Sequence, residues 1–266
     1  MLAGCYFFSP LVVILLSMRN LIYIAFALFA FGCKAPLYSP TVQPNYYKVA
    51  DKAEANEAGP QVQRMVETIA PYKAQLDSKM NRVLATVKLP LKKGSPESNL
   101  GNWSADLLAE AAAANYPDRE IAFATMNQGG IRVSEIGTGP LIVSEIYELM
   151  PFDNTLVLMD LTGKELTEFV SHIANSGGWP VSENLSVVKT DKGLKIRIGG
   201  KAVDDKSTYT VVLPDYVAGG GSGSAMLKEK ARIDSGLLIR DLLVEYAGKI
   251  TQPIDVKVEG KRMRLN

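Results

Sequence analysis

Residues 121–132 read Ile-Ala-Phe-Ala-Thr-Met-Asn-Gln-Gly-Gly-Ile-Arg. Ile121–Met126 is an apolar run of strand length, and it enters Asn127-Gln128-Gly129-Gly130, a turn signal. Upstream, Ser98 or Asn99 caps an expected helix from Leu100 to about Asn115, with Leu107, Leu108 and Ala111 on one face. Before it come a β-prone run, Val83–Leu89, and a helical pattern on Val62, Met65, Val66, Ile69, Leu76 and Met80, kinked or restarted near Pro71. Downstream, a short helix is expected over Leu141–Leu149 and a strand over Thr155–Leu161. An amphipathic helix on Leu166, Phe169, Val170 and Ile173 follows Gly163. From Ser186 to Leu213 the texture becomes β, with Val187-Val188, Leu194–Ile198 and Tyr209–Leu213 separated by Asp-Lys-Gly and Gly-Gly turns. A last helix over Leu237–Tyr246 and a closing hairpin of Val256–Val258 with Met263–Leu265 complete the expectation. Helices and strands mix without regular βαβ repetition, which predicts an α+β fold, and a single globular domain over 61–266 accommodates it.

The 266 residues carry 29 Lys+Arg against 28 Asp+Glu, for a net charge of +1. That balance gives no electrostatic case for nucleic-acid binding. The single histidine, His172, excludes a self-contained metal centre built on several histidines. No metal ligands or cofactor are therefore expected in this chain, and no catalytic Ser-His-Asp set is evident.

The first 33 residues are mostly apolar, with Arg19 their one charged side chain. As a membrane helix the stretch would bury Arg19 near its middle, at a cost of about 2.5–3.5 kcal/mol. As a signal peptide, Met18-Arg19-Asn20 is the basic start, Leu21–Phe31 the apolar run, and Gly32-Cys33 the end, where a lipoprotein peptidase would cut. The second reading is preferred. Translation is expected to start at Met18, residues 1–32 to be the signal segment, and Cys33 to be lipidated. Residues 33–60, rich in Pro, Ala, Asn and Glu, form the tether. Such a protein belongs to a bacterial cell envelope, anchored to the membrane through its lipid.

Four local sequences stand out in the globular part. In Asn127–Arg132 the glycines let backbone N–H groups approach an anion and Arg132 can fork onto phosphate oxygens, although an ordinary turn with a surface Arg is the competing reading. In Met150-Pro151-Phe152-Asp153-Asn154, Phe152 offers a ring and Asn154 both a donor and an acceptor, against a core Phe in a connection. Tyr216 opens the Gly-rich segment ending Gly221-Ser222-Gly223-Ser224, which reads equally as a linker or as a loop lining a ligand. Glu97–Asn102 reads as a helix start. His172 fits a satisfied helix residue, and Trp103 and Trp179 fit packing.

Together, and in this order, Asn99-Leu100-Gly101-Asn102, NQGGIR, MPFDNTLV and YTVVLPDYVAGGGSG resemble the C-terminal domain of the 5′-nucleotidase/UDP-sugar hydrolase family. The resemblance covers about Gln61 to Asn266. It implies the substrate-binding domain without the N-terminal metallophosphoesterase domain, whose divalent metals would sit in a separate partner chain. It further implies that Asn127 and Arg132 stand on the phosphate side, Phe152 and Tyr216 sandwich the base of a nucleoside or nucleoside monophosphate, and Asn154 contacts that base. Ser222 stands where the family has a ribose-binding carboxylate. Lys92, Lys93 and Gly94 occupy a region where the family has an arginine, and Asp153 replaces a glycine.

Overall fold

The computed structural model describes residues 59–265, so the expected signal segment, Cys33 and the tether up to Ala58 lie outside the described residues. The fold is built on one strand, β6 (Thr155–Thr162). Its Leu156 and Leu158 enter one apolar cluster and its Val157, Met159 and Leu161 another, so successive side chains serve opposite layers. This explains an unbroken apolar run where a half-exposed strand would alternate with polar residues. Full burial of each such side chain contributes about 1.5–3 kcal/mol.

Around β6 stand β10 (Thr208–Pro214), β3 (Ile121–Ala124) and the edge strand β11 (Ile233–Leu238), in the order β11-β6-β10-β3. β10 runs antiparallel to β6 and parallel to β3. One face is covered by α2 (Asn99–Asn115) and α6 (Ile239–Ala247), through Leu100, Leu107, Leu108, Leu242 and Leu243. Ser98 begins α2 by accepting the Gly101 N–H on its Oγ at 3.1 Å. The other face carries α4 (Gly163–Asn175), whose Leu166, Phe169, Val170 and Ile173 are fully buried. Beyond α4 lies a second sheet, with order β12-β7-β8-β9, formed by Met263–Arg264, Leu185–Thr190, Gly193–Ile198 and Lys201–Ala202. Two small ribbons, β1 (Val83–Val87) with β5 (Gly139–Ile142) and β2 (Leu91–Lys92) with β4 (Glu135–Ile136), flank the first layer. The α+β expectation holds.

Three local expectations need correction, each because a distant partner outcompetes the local pattern. No closing hairpin forms. Met263 and Arg264 instead pair in parallel with Val187 and Val188. Arg262, just before them, forks onto Asp106 at 2.6 and 2.7 Å, while Glu97 Oε2 accepts the backbone N–H groups of Arg262 and Met263 at 3.1 and 3.2 Å. The expected helix over 141–149 begins as β5, since Leu141 pairs with Ala85, and only Val143–Leu149 is helical (α3). Leu237 and Leu238 belong to β11, so α6 starts at Ile239. The first helix, α1 (Pro60–Met80), contains Pro71 within one element, without a restart.

Gly163 shows how tightly α4 is docked. A Cβ there would stand 2.1 Å from the Asp204 carbonyl oxygen, in backbone that cannot move aside cheaply. In an unconstrained helix, Gly to Ala gains about 1 kcal/mol. Here overpacking reverses the sign: Gly163→Ala is expected to lose about 1–3 kcal/mol of unfolding free energy, read from a lower urea midpoint at unchanged slope. A raised midpoint would contradict this packing.

Candidate functional site

The direction of β10 gathers the sequence motifs. Because β3 is parallel to β10, their C-terminal ends share one edge of the sheet, and because β6 is antiparallel, its N-terminal end lies there too: Pro214 pairs with Leu156. Three connections therefore meet: Asn127–Arg132 after β3, Phe152–Asn154 before β6, and Tyr216–Ser224 after β10. Asn127, Arg132, Phe152, Asn154, Tyr216 and Ser222 all line one cleft of about 490 Å³, together with Gly129, Gly130 and Asp153.

The polar floor is a connected set. Asn127, 7% exposed, donates from Nδ2 to Ser222 Oγ at 2.9 Å. The Ser222 N–H points to the Tyr216 hydroxyl at 3.3 Å, and its carbonyl accepts from His172 Nε2 at 2.9 Å. Ser222 holds φ 52°, ψ 31°, the one non-glycine residue with positive φ among those described. That conformation costs about 1–2 kcal/mol for an L-residue and persists only where surrounding bonds fix it. The segment around Ser222 is strapped to both ends of α4, by His172 near its C-terminus and by the Lys230–Glu165 ion pair at its N-terminus. The Lys230 ammonium, aided by the Thr162 backbone and hydroxyl groups, holds the Glu165 carboxyl down at about 2. The Gly-rich stretch is thus a fixed loop rather than a linker. His172 also sets its ring edge-on to buried Trp179, with centroids 5.4 Å apart.

Two rings remain open to the cleft, Phe152 at 39% and Tyr216 at 51% exposure. Tyr216 lies against Gly221, where a Cβ would stand 2.5 Å from the ring carbon Cζ. Only glycine allows that approach. The Arg132 guanidinium sits 5.6 Å from the Phe152 centroid, within cation–π range. It makes no ion pair among the described residues, so its donors are available to an anion. The Asp153 carboxylate pairs with Arg240 at 2.9 Å, which offsets its charge beside the cleft. Lys92 pairs with Glu135 at 3.6 Å and Lys93 donates to the Ile131 carbonyl at 2.7 Å, and neither lines the cleft. Gln128 turns away from the cleft to reach the Gly94 carbonyl and Ser95 Oγ, both at 2.9 Å.

Two residues that organise the site escaped the sequence reading. Asp215 accepts from both Asn154 Nδ2 and the Tyr216 backbone N–H at 2.7 Å. An acid directly after Pro214, at a strand-to-helix junction, was the available signal. His172 is satisfied, as its place on a helix suggested, but its partner, the Ser222 carbonyl 50 residues away, carried no local signal. A larger depression of about 750 Å³ lies at the opposite sheet edge, beside Arg119, Asp160 and Tyr209. There Arg119 Nη1 already donates to both Asp160 carboxylate oxygens, at 3.0 and 2.9 Å, holding that carboxyl below its usual range. That depression therefore lacks the uncommitted guanidinium and paired open rings of the smaller cleft. Among the described residues no three His, Cys, Asp or Glu side chains gather as metal ligands, and no helix is long and apolar enough to cross a membrane.

The chain is similar to known proteins over most of its described length. Residues 83–229, more than half of the chain, match the family described as 5′-nucleotidase, C-terminal domain. The chain is 30% identical over 207 residues to Protein UshA of Escherichia coli (strain K12), covering 74% of this chain and 36% of that protein. It is 32% identical over 183 residues to the trifunctional nucleotide phosphoesterase protein YfkN of Bacillus subtilis (strain 168), covering 62% and 12% respectively. The crystal structure of a 5′-nucleotidase precursor from Thermus thermophilus superposes with a TM-score of 0.60 at 29% identity, over 75% of this chain and 43% of that one. The chain thus spans about a third or less of the length of these two sequence relatives. On the family match, the motif order and the fold that joins the motifs, this chain belongs to the 5′-nucleotidase C-terminal domain family.

Proposed function

We propose that this chain is the nucleotide- or nucleoside-recognising part of a 5′-nucleotidase-type hydrolase, and that a separate metallophosphoesterase chain supplies the divalent metals and the hydrolysis. The observation that carries this reading is the meeting of two open rings, an uncommitted guanidinium and a polar floor in one cleft. A base held between Phe152 and Tyr216 gains about 1–3 kcal/mol per stacking contact whatever its hydrogen-bonding edge. Arg132 meets the phosphate with a forked pair of donors. Ser222 Oγ, already accepting from Asn127, keeps its own proton to donate to a ribose hydroxyl.

A second reading, an envelope protein that binds nucleosides without hydrolysis, is favoured by one feature. Ser222 stands where the family resemblance places a carboxylate, and a hydroxyl gives a weaker, uncharged contact. In either reading the protein is held at the bacterial envelope through lipid on Cys33.

Calorimetric titration of the protein with AMP and adenosine tests recognition. Phe152→Ala is expected to weaken both ligands by about tenfold or more, and Arg132→Ala to weaken AMP while sparing adenosine. Equal affinities in all three proteins would remove the cleft from the account. The split-hydrolase reading predicts that adding the protein to a candidate metallophosphoesterase raises AMP hydrolysis above that of the phosphoesterase alone. Binding with no such gain at saturation would leave the second reading. For the anchor, Cys33→Ser is expected to move the protein from the membrane to the soluble fraction on cell fractionation, and unchanged membrane association would refute lipidation there.

A further inference from the structure

Asn154 is oriented from outside the cleft. Its backbone carbonyl accepts from the Ile239 N–H at 2.9 Å, and its Nδ2 donates to Asp215 Oδ1 at 2.7 Å. Asp215 does not line the cleft, and the same oxygen also accepts the Tyr216 N–H at 2.7 Å. The carboxylate is therefore held at the junction of β10 with the short helix α5 (Asp215–Ala218). A carboxylate can only accept hydrogen bonds, so turning the Asn154 amide over would set two acceptors against each other and leave Asp215 without that donor. Among the described residues no donor reaches Asn154 Oδ1, and Asn154 is a cleft residue. Its amide thus offers the cleft a carbonyl acceptor beside its second Nδ2 hydrogen, in a fixed order.

We propose that Asp215 is a specificity-determining residue: by locking the Asn154 amide, it makes the cleft select nucleobases carrying an amino group beside a ring-nitrogen acceptor, as on adenine, over bases with an oxo group there. The inference rests on the nucleoside reading above. Ring stacking tolerates any base, so the choice between bases enters through the edge contact. An asparagine amide matches the adenine pattern with two hydrogen bonds, amine to Oδ1 and Nδ2 to ring nitrogen. An oxo group in place of the amine faces Oδ1 as a second acceptor, and the locked amide cannot turn to receive it.

The test is calorimetry of the full chain with adenosine, inosine and purine riboside, which has hydrogen in place of the amine. The native protein is expected to bind adenosine about tenfold or more tightly than either analogue. Asp215→Ala removes the acceptor that Asn154 Nδ2 and the Tyr216 N–H share, which frees the Asn154 amide to turn. It is expected to keep adenosine binding and narrow the adenosine-to-inosine ratio to about threefold or less, and Asn154→Ala to abolish the preference. Equal binding of adenosine and purine riboside by the native protein overturns the inference without recourse to any variant. A ratio unchanged in folded Asp215→Ala overturns the role of Asp215. Absence of binding for all three nucleosides fails the nucleoside reading itself, and the inference with it.

Discussion

The cleft depends on the direction of a single strand. β10 is parallel to β3 on one side and antiparallel to β6 on the other, so two C-terminal ends and one N-terminal end open at the same edge. Reversing either relationship would send one motif to the opposite edge, about 20 Å away for strands of this length. A sheet buried on both faces enforces that register, because a one-residue slip would exchange every side chain of β6 between the two apolar clusters. Core packing thus sets the distances between rings, guanidinium and amides that are far apart in the chain.

The second constraint is the strained loop that carries Ser222. A left-handed serine between flexible glycines would relax in isolation. Here Asn127, Tyr216 and His172 bind its hydroxyl, its N–H and its carbonyl, one partner for each polar group. The Lys230–Glu165 pair closes the strap at the far end of α4. Rigid backbone under an open cleft limits the ordering cost on binding, which otherwise subtracts from affinity.

Much of this was legible in the sequence, and the limits follow from range. The β6 run, the Ser98 cap and the amphipathic face of α4 are local patterns, and each forms. The six cleft residues were read from short motifs in a recognised order, and the fold brings all six to one place. What escaped depends on partners far along the chain. Arg262 prefers Asp106, 156 positions away, to a local hairpin, and Leu141 prefers Ala85 to an earlier helix start. Asp215 and His172 are single polar residues whose importance is a matter of what they touch, and Asp215 touches Asn154 across 61 positions. The charge that Asp153 places beside the cleft is offset in the same way, by Arg240, which no local pattern could show.

The account is tested most directly by amide chemical-shift mapping during titration with AMP. It predicts that shifts concentrate in three separate stretches, 127–132, 152–154 and 215–223, and saturate together with one dissociation constant. Shifts centred on Arg119, Asp160 and Tyr209 at the opposite sheet edge, or none at millimolar AMP, would contradict it.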